Sequence, residues 1–286
     1  MNSPAVITPR GKNVRFLTTA QIQVFRKKIY DYFDAEGRDL PWRKRPDPYR
    51  VLVSEIMLQQ TQVERVIEKY QKFLAAFPDF SALANAPLTK LLALWSGLGY
   101  NRRALALKAL AQKVVEDYGG KLPSEAEELT ALPGIGKYTA GAVMTFAFNK
   151  PMVFIDTNIR RVYIHEFLWM DEKIHDHDLM PLVEQTIDDM NPRKWYNALM
   201  DYGAMLKLKH VNPNRKSIHY VRQSPFENSN RQVRGKILKA LVTRSPLTIR
   251  QLVEASGIDP QRIQSILAQL AEEGFIKKRG RDFSIS

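Results

Sequence analysis

A chain of 286 residues with 44% apolar content can bury one large core, or two moderate ones plus a small module. Its formal net charge of +13 points to a polyanionic partner: DNA, RNA or an acidic membrane surface. No apolar run reaches the roughly 18 residues of a membrane span, and the leader MNSPAVITPRGKN has no signal-peptide core, so a cytoplasmic or nucleoid setting is expected. With no cysteine, disulfides, thiolate zinc sites and cysteine-ligated iron–sulfur clusters are excluded.

The pattern is helical almost throughout. A basic leader (1–18) precedes a helix near 19–35. The Pro-rich connector LPWRKRPDPYR then leads to helices near 49–60, 62–76, 78–84, 87–96, 100–118 and 124–131. Ser124 and Glu127 have capping-box spacing ahead of the last of these. LPGIGKYTAG (Leu132 to Gly141) reads as a tight turn between two helices, the second at 137–148. Its glycines let main-chain N–H groups approach a ligand, and the uncapped helix start favours an anion such as a phosphate. Further helices are expected near 157–168, 178–190 and 192–206, with His175-Asp176-His177-Asp178 as an exposed polar loop or a loose metal tract.

Residues 207–235 read as a linker. From Lys207 to Arg244 there are ten Lys/Arg against the single acid Glu227, which suits either a solvated arm or one that tracks a nucleic-acid strand. Beyond it, a helix at 231–243, a capping box at Thr248 and Gln251, an Asp259-Pro260 helix start and a basic hairpin near the C-terminus resemble a winged helix. Such modules bind DNA or partner proteins.

Two carboxylates stand out. In SEIMLQQTQV, Glu55 and Gln59 fall in the helix sector that also holds Leu52, Ile56 and Val63. A buried carboxylate holds its proton more tightly than in water; alternatively, local bending turns Glu55 outward or an arginine pairs it. Asp156 follows Gly136 by twenty residues and opens the helix at Thr157. An ordinary N-cap is one reading; a permanently ionised carboxylate, favoured by the helix N–H groups, is compatible with it. A protonated acid and a permanent anion meeting across one groove suit glycosidic-bond cleavage through an oxocarbenium-like state.

The stretches LPWRKRPDPYRVLVSEIMLQQTQV, LWSGLGYNRRALALKALA, LPGIGKYTAGAV and NALMDYGAM resemble the helix-hairpin-helix (HhH-GPD) DNA glycosylases, in their MutY-type, adenine-specific branch, over roughly residues 20–206. The resemblance implies an all-α, two-lobed fold with a cleft between lobes, here followed by a winged-helix-like domain. The expected division is 1–39 packing with the second lobe, 40–150 as a six-helix lobe with the hairpin, 151–225 as the second lobe and basic linker, and 226–286 as the winged-helix-like domain. It assigns Glu55 as general acid and Asp156 as the conserved aspartate. Trp42, Gln59 and Tyr138 fall at the base pocket, although Trp42 also reads as a plain core tryptophan. Gln60, Thr61 and Tyr100 fall at the opposite strand and the duplex wedge. Gly134, Gly136, Lys137 and Thr139 would meet the DNA backbone, and hairpin carbonyls near Leu132 and Ile135 would hold a monovalent cation, with no metal held by side chains. Arg102, Arg103 and Arg160 are further candidate phosphate contacts, or ordinary solvated charges.

Bifunctional relatives carry a lysine where this chain has Tyr138, and Lys137 points roughly 100° away around the helix. The implied activity is therefore monofunctional: excision of a flipped base from mismatched double-stranded DNA by a monomer, without strong AP lyase activity. The base is adenine opposite guanine or 8-oxoguanine, or alternatively thymine or uracil opposite guanine. A rival of another class is a non-catalytic winged-helix DNA-binding regulator. The four cysteines usual in this branch are absent and the segment reads Lys207-Leu208-Lys209-His210-Val211-Asn212-Pro213; no iron–sulfur cluster or other cofactor is expected. The resemblance leads us to expect the winged helix in place of the usual 8-oxoguanine-sensing C-terminal domain. Asp156-Thr157-Asn158 replaces the common Asp-Gly-Asn, and Asn149 stands where a glycine often precedes the aspartate.

Overall fold

Capped and broken where the sequence places its polar and glycine punctuation, the chain forms fifteen α-helices among the residues that the computed structural model describes: 6–7, 13–14, 16–223 and 225–286. In chain order these elements are β1 (Val6–Ile7), β2 (Asn13–Val14), α1 (Thr19–Glu36), α2 (Pro41–Lys44), α3 (Pro48–Leu58), α4 (Val63–Ala76), α5 (Phe80–Ala84), α6 (Leu88–Trp95), α7 (Arg102–Tyr118), α8 (Ala126–Thr130), α9 (Lys137–Phe148), α10 (Thr157–Phe167), α11 (Asp176–Thr186), α12 (Pro192–Lys209), a 3-10 turn (Pro213–Lys216), α13 (Asn230–Thr243), β3 (Leu247–Thr248), α14 (Ile249–Ser256), α15 (Pro260–Glu272), β4 (Ile276–Arg279) and β5 (Asp282–Ile285).

Local chemistry accounts for the ends. Thr248 and Gln251 form the expected capping box, Asp259 caps α15 ahead of Pro260, and Asn149 closes α9 in the left-handed region at φ 57°. Four sequence expectations shift. Pro41, at the first helical position, starts a short helix inside the connector. α8 begins at Ala126, so Ser124 lies outside the cap position and its carbonyl instead accepts from the Lys150 ammonium. α11 begins at Asp176 because the Asp178 carboxylate accepts the His175 N–H at 2.9 Å; the His/Asp tract is a helix start, not a loop. α12 continues to Lys209, since no breaker precedes Pro213.

The chain divides into two units. The first comprises Met1–Val51, Ser124–Thr130 and Ile135–Arg222. In it α10 packs on α12 and α12 on α1, around Phe25, Ile29, Tyr163, Trp195, Tyr196 and Leu199. Asp201 of α12, 1% exposed, accepts from Arg38 and Arg43. The 3-10 turn is stapled to α10: Asn214 Nδ2 donates to the Thr157 carbonyl and Arg161 Nε to Asn212 Oδ1.

The second unit comprises Leu52–Pro123, Ala131–Gly134 and Gln223–Ser286. Val66, Tyr70, Phe73, Trp95, Leu107 and Leu110 are buried in its α4–α7 part. In its C-terminal part, α13, α14 and α15 pack with an antiparallel sheet of order β3-β5-β4, whose register pairs Leu247 with Phe283 and Ile276 with Ile285. Ile237, Leu241, Ile263, Leu267 and Phe275 fill the core there, and α13 also packs against α6.

Candidate active site

In the first unit, Gly136 is the N-cap of α9, with extended backbone and no side-chain cap. A Cβ at Gly136 would meet nothing within 4 Å, and its φ of −94° suits any residue. The protein's own packing therefore does not require glycine there, whereas a ligand approaching the main chain would. Gly134, which belongs to the second unit, is different: its φ is +78°, and a Cβ would lie 2.9 Å from that of Ala106. Lys137 is exposed at the first helical position and Thr139 is buried. Tyr138 sits edge-on to Phe154 at 5.7 Å, and Phe154 stacks on Tyr196 at 4.2 Å. Gly141 admits Phe154 so closely that a Cβ would stand 3.2 Å from the ring. That contact ties α9 to the strand-like run ending at Asp156. Trp42, in α2, is buried.

Asp156 caps α10. Its Oδ1 accepts the main-chain N–H of Asn158 at 2.8 Å and of Ile159 at 2.7 Å, and its Oδ2 accepts Asn158 Nδ2 at 3.1 Å. Asn158 Oδ1 in turn accepts from Arg161, 3% exposed, so the amide is oriented from both ends. The carboxyl is enclosed although the residue keeps some accessible surface. Burial raises its pKa above the ordinary carboxylate value, against the pull of the Ile159 and Asn158 N–H groups and of Arg160 and Arg161. The cap contacts foreseen from sequence are present, but desolvation makes the ionised form costly.

In the second unit, Glu55 is half-buried on α3 between fully buried Ser54 and Ile56, and Gln59 is half-buried just past the helix end. Gln60 follows at φ 55°. The loop from α6 to α7 has Gly97 at φ 95°, Gly99 at φ 73° and half-buried Tyr100 at φ 47°. Gln60 and Tyr100 thus both adopt the left-handed region that bulky residues avoid, a form of strain that clusters at functional positions. Thr61 Oγ1 donates to the Leu98 carbonyl at 3.1 Å, joining the two segments.

The arginines resolve differently from one another. Arg103 Nη1 donates to the carbonyls of Ile56, Met57 and Gln59, and Nη2 to Thr61 Oγ1 and the Gly99 carbonyl, so its guanidinium braces this region instead of facing outward. Burial lowers its pKa to about 10. Arg160 forms a two-point pair with Asp176 at 2.6 and 2.7 Å, and Arg102 pairs with Glu273 at 2.6 Å. Sequence reasoning missed Asn158, Arg161 and Asp201. Of these only Asn158, two residues past the aspartate, carries a local signal. Among the described residues no His/Cys/Asp/Glu cluster is arranged to hold a metal.

Residues 53–187 match the model of the HhH-GPD superfamily base excision DNA repair proteins, and residues 235–282 match that of TrmB, a sugar-specific transcriptional regulator. The chain is 40% identical over 191 residues to an adenine DNA glycosylase of Buchnera aphidicola subsp. Baizongia pistaciae, covering 65% of this chain and 54% of that protein. It is 32% identical over 274 residues to an adenine DNA glycosylase of Mycolicibacterium smegmatis, covering 88% of this chain and 92% of the other. The fold is similar to that of a thermostable thymine-DNA glycosylase at TM-score 0.61 and 31% identity, over 68% of this chain and 91% of that one. The chain spans about half or less of the length of several adenine DNA glycosylases that it matches, 54% of the Buchnera protein and 37% of the human one. On these similarities the chain belongs to the HhH-GPD superfamily of base excision DNA repair proteins.

Proposed function

We propose that the protein is a monofunctional DNA glycosylase that hydrolyses the N-glycosidic bond of a base flipped out of mismatched duplex DNA. The observation that carries this reading is Asp156: a carboxylate fixed by three donors yet raised in pKa by burial. An anion that its surroundings make costly is relieved by positive charge developing on a neighbouring sugar, so it favours an oxocarbenium-like transition state over the ground state. Glu55 supplies the proton to the departing base, and one carboxylate directs the attacking water. Tyr138, with Phe154 behind it, offers no amine for a Schiff base. Gln59 and Trp42 contact the flipped base; Gln60, Thr61 and Tyr100 meet the opposite strand and the gap in the duplex.

Gly134, Gly136, Lys137 and Thr139 bind the backbone, where the open space at Gly136 lets a phosphate approach the start of α9. Main-chain oxygens near Leu132 and Ile135 are hard donors whose chemistry fits a monovalent cation. Arg102 remains a candidate phosphate contact; the contacts of Arg103 and Arg160 favour bracing roles. The protein acts as a monomer on DNA in the cytoplasm, at the nucleoid.

Adenine, opposite guanine or 8-oxoguanine, is the proposed target, supported by similarity to adenine DNA glycosylases over nearly the whole Mycolicibacterium protein. Thymine or uracil opposite guanine is the second reading, favoured by the likeness to the thymine-DNA glycosylase. The match of residues 235–282 to a transcriptional-regulator family favours a DNA-binding regulator as the third. A panel of single-mismatch duplexes scored for alkali-revealed breaks separates them. Glu55→Gln should abolish breaks while sparing binding; collapse of binding would make Glu55 structural. Strong borohydride trapping of an enzyme–DNA adduct would overturn the monofunctional assignment.

A further inference from the structure

We infer that the C-terminal part of the second unit is the anchor of the Tyr100 loop, with Arg231 and Gln223 as positioning residues that fix the phenol. Three observations converge. The Tyr100 hydroxyl accepts from Arg231 Nη1 at 3.0 Å and from Gln223 Nε2. The Arg231 guanidinium lies 5.8 Å from the ring centroid and that of Arg103 lies 5.6 Å away, so two cations stand close to the ring. Immediately after the loop, Arg102 at the start of α7 reaches Glu273, which also receives Arg234 of α13. The hydrogen bond from Arg102, joined by the pairing with Arg234, outweighs the opposing effect of burial and lowers the Glu273 pKa to about 2, so the link persists at neutral pH.

A tyrosine at φ 47° is strained, and such a backbone persists only when its surroundings over-determine it. The α6–α7 residues supply part of that, through Trp95 Nε1 on the Gly99 carbonyl and Arg103 Nε on the Tyr100 carbonyl, but these bonds hold the backbone and leave the phenol oxygen to other partners. Residues 223 and 231 supply what remains. The module is thereby given a use besides any nucleic-acid contact of its own: it presets the aromatic side chain. This inference rests on the proposed function in taking Tyr100 as the residue that enters the duplex.

Two measurements on the 1–286 chain test it. In the protein alone, amide hydrogen exchange over residues 97–101 should quicken several-fold in Arg231→Met and in Gln223→Ala, the latter a surface change that leaves folding intact, with Arg231→Lys restoring part of the protection. Unchanged exchange in both variants overturns the inference. On a mismatched duplex carrying 2-aminopurine beside the target base, Tyr100→Phe and Arg231→Met should each lower the fluorescence rise by roughly three- to tenfold, and the double variant by no more than either alone. A double loss equal to the product of the singles overturns it, because Arg231 would then act independently of the hydroxyl. If the unaltered chain gives no fluorescence rise with any mismatch, the base-flipping reading fails, and the exchange result alone decides the anchoring.

Discussion

Arg103 Nη1 lies 2.6 Å from the Gln59 carbonyl oxygen, and the same nitrogen also serves the carbonyls of Ile56 and Met57. One side chain thus gathers the carbonyls at the end of α3 and reaches Thr61 and Gly99 beyond it. A lysine has no planar fork with which to repeat this. Arg103→Lys is expected to cost about 2–3 kcal/mol in urea denaturation and to impair base excision, because Gln59, Gln60 and Thr61 lose their common brace.

Asp201 gives the chain an acid-sensitive joint. Burial alone would raise its pKa, but hydrogen bonds and charge from Arg43, then those from Arg38, outweigh it and hold the carboxyl below its ordinary value of 3.8. The contribution to stability is therefore complete above that value and is lost as pH falls through the lower folded-state pKa. Asp201→Asn should cost about 3 kcal/mol at neutral pH, since two arginines lose their anion. It should also flatten the acid limb of a stability profile measured by chemical denaturation.

Asp156 predicts the opposite sign. Its folded pKa is raised, so its contribution favours folding at low pH and is lost as pH rises through the folded-state value. Asn keeps the capping acceptor without the buried charge. Asp156→Asn removes the buried charge but turns Oδ2 into a donor facing Asn158 Nδ2, so thermal stability at neutral pH should stay within about 1 kcal/mol of the parent and lose its dependence on this titration, while single-turnover cleavage falls about 100- to 1,000-fold.

Two glycines of the hairpin should separate folding from binding. Gly134→Ala must place a side chain at φ +78° and 2.9 Å from Ala106 Cβ, and is expected to cost about 1–3 kcal/mol. Gly136→Ala meets open space and should change stability by less than about 1 kcal/mol, yet weaken duplex binding about tenfold. Parallel melting and fluorescence-anisotropy titrations would show the split.

Lys137, exposed at the head of α9, should contribute through one phosphate. Lys137→Ala is expected to reduce the slope of log affinity against log salt by about 0.9. An unchanged slope would place the ammonium away from the backbone.

Much of this was legible along the chain. The helix starts at Thr248 and Asp259, the left-handed stop at Asn149 and the turn at Gly134 follow from a few adjacent residues, whose hydrogen bonds and backbone limits operate within one turn of chain. The motif around Leu132 and the two acids gave the family for the same reason: each is a short pattern. The bracing by Arg103, the arginine pair on Asp201, the enclosure of Asp156 and the grip of Arg231 on Tyr100 were decided only by the fold. Desolvation and charge pairing depend on which distant residues arrive beside a group. Arg102, Arg103 and Arg160 look alike in sequence, and only the packed neighbours assign one to a carboxylate of α15's end, one to a row of carbonyls and one to the head of α11.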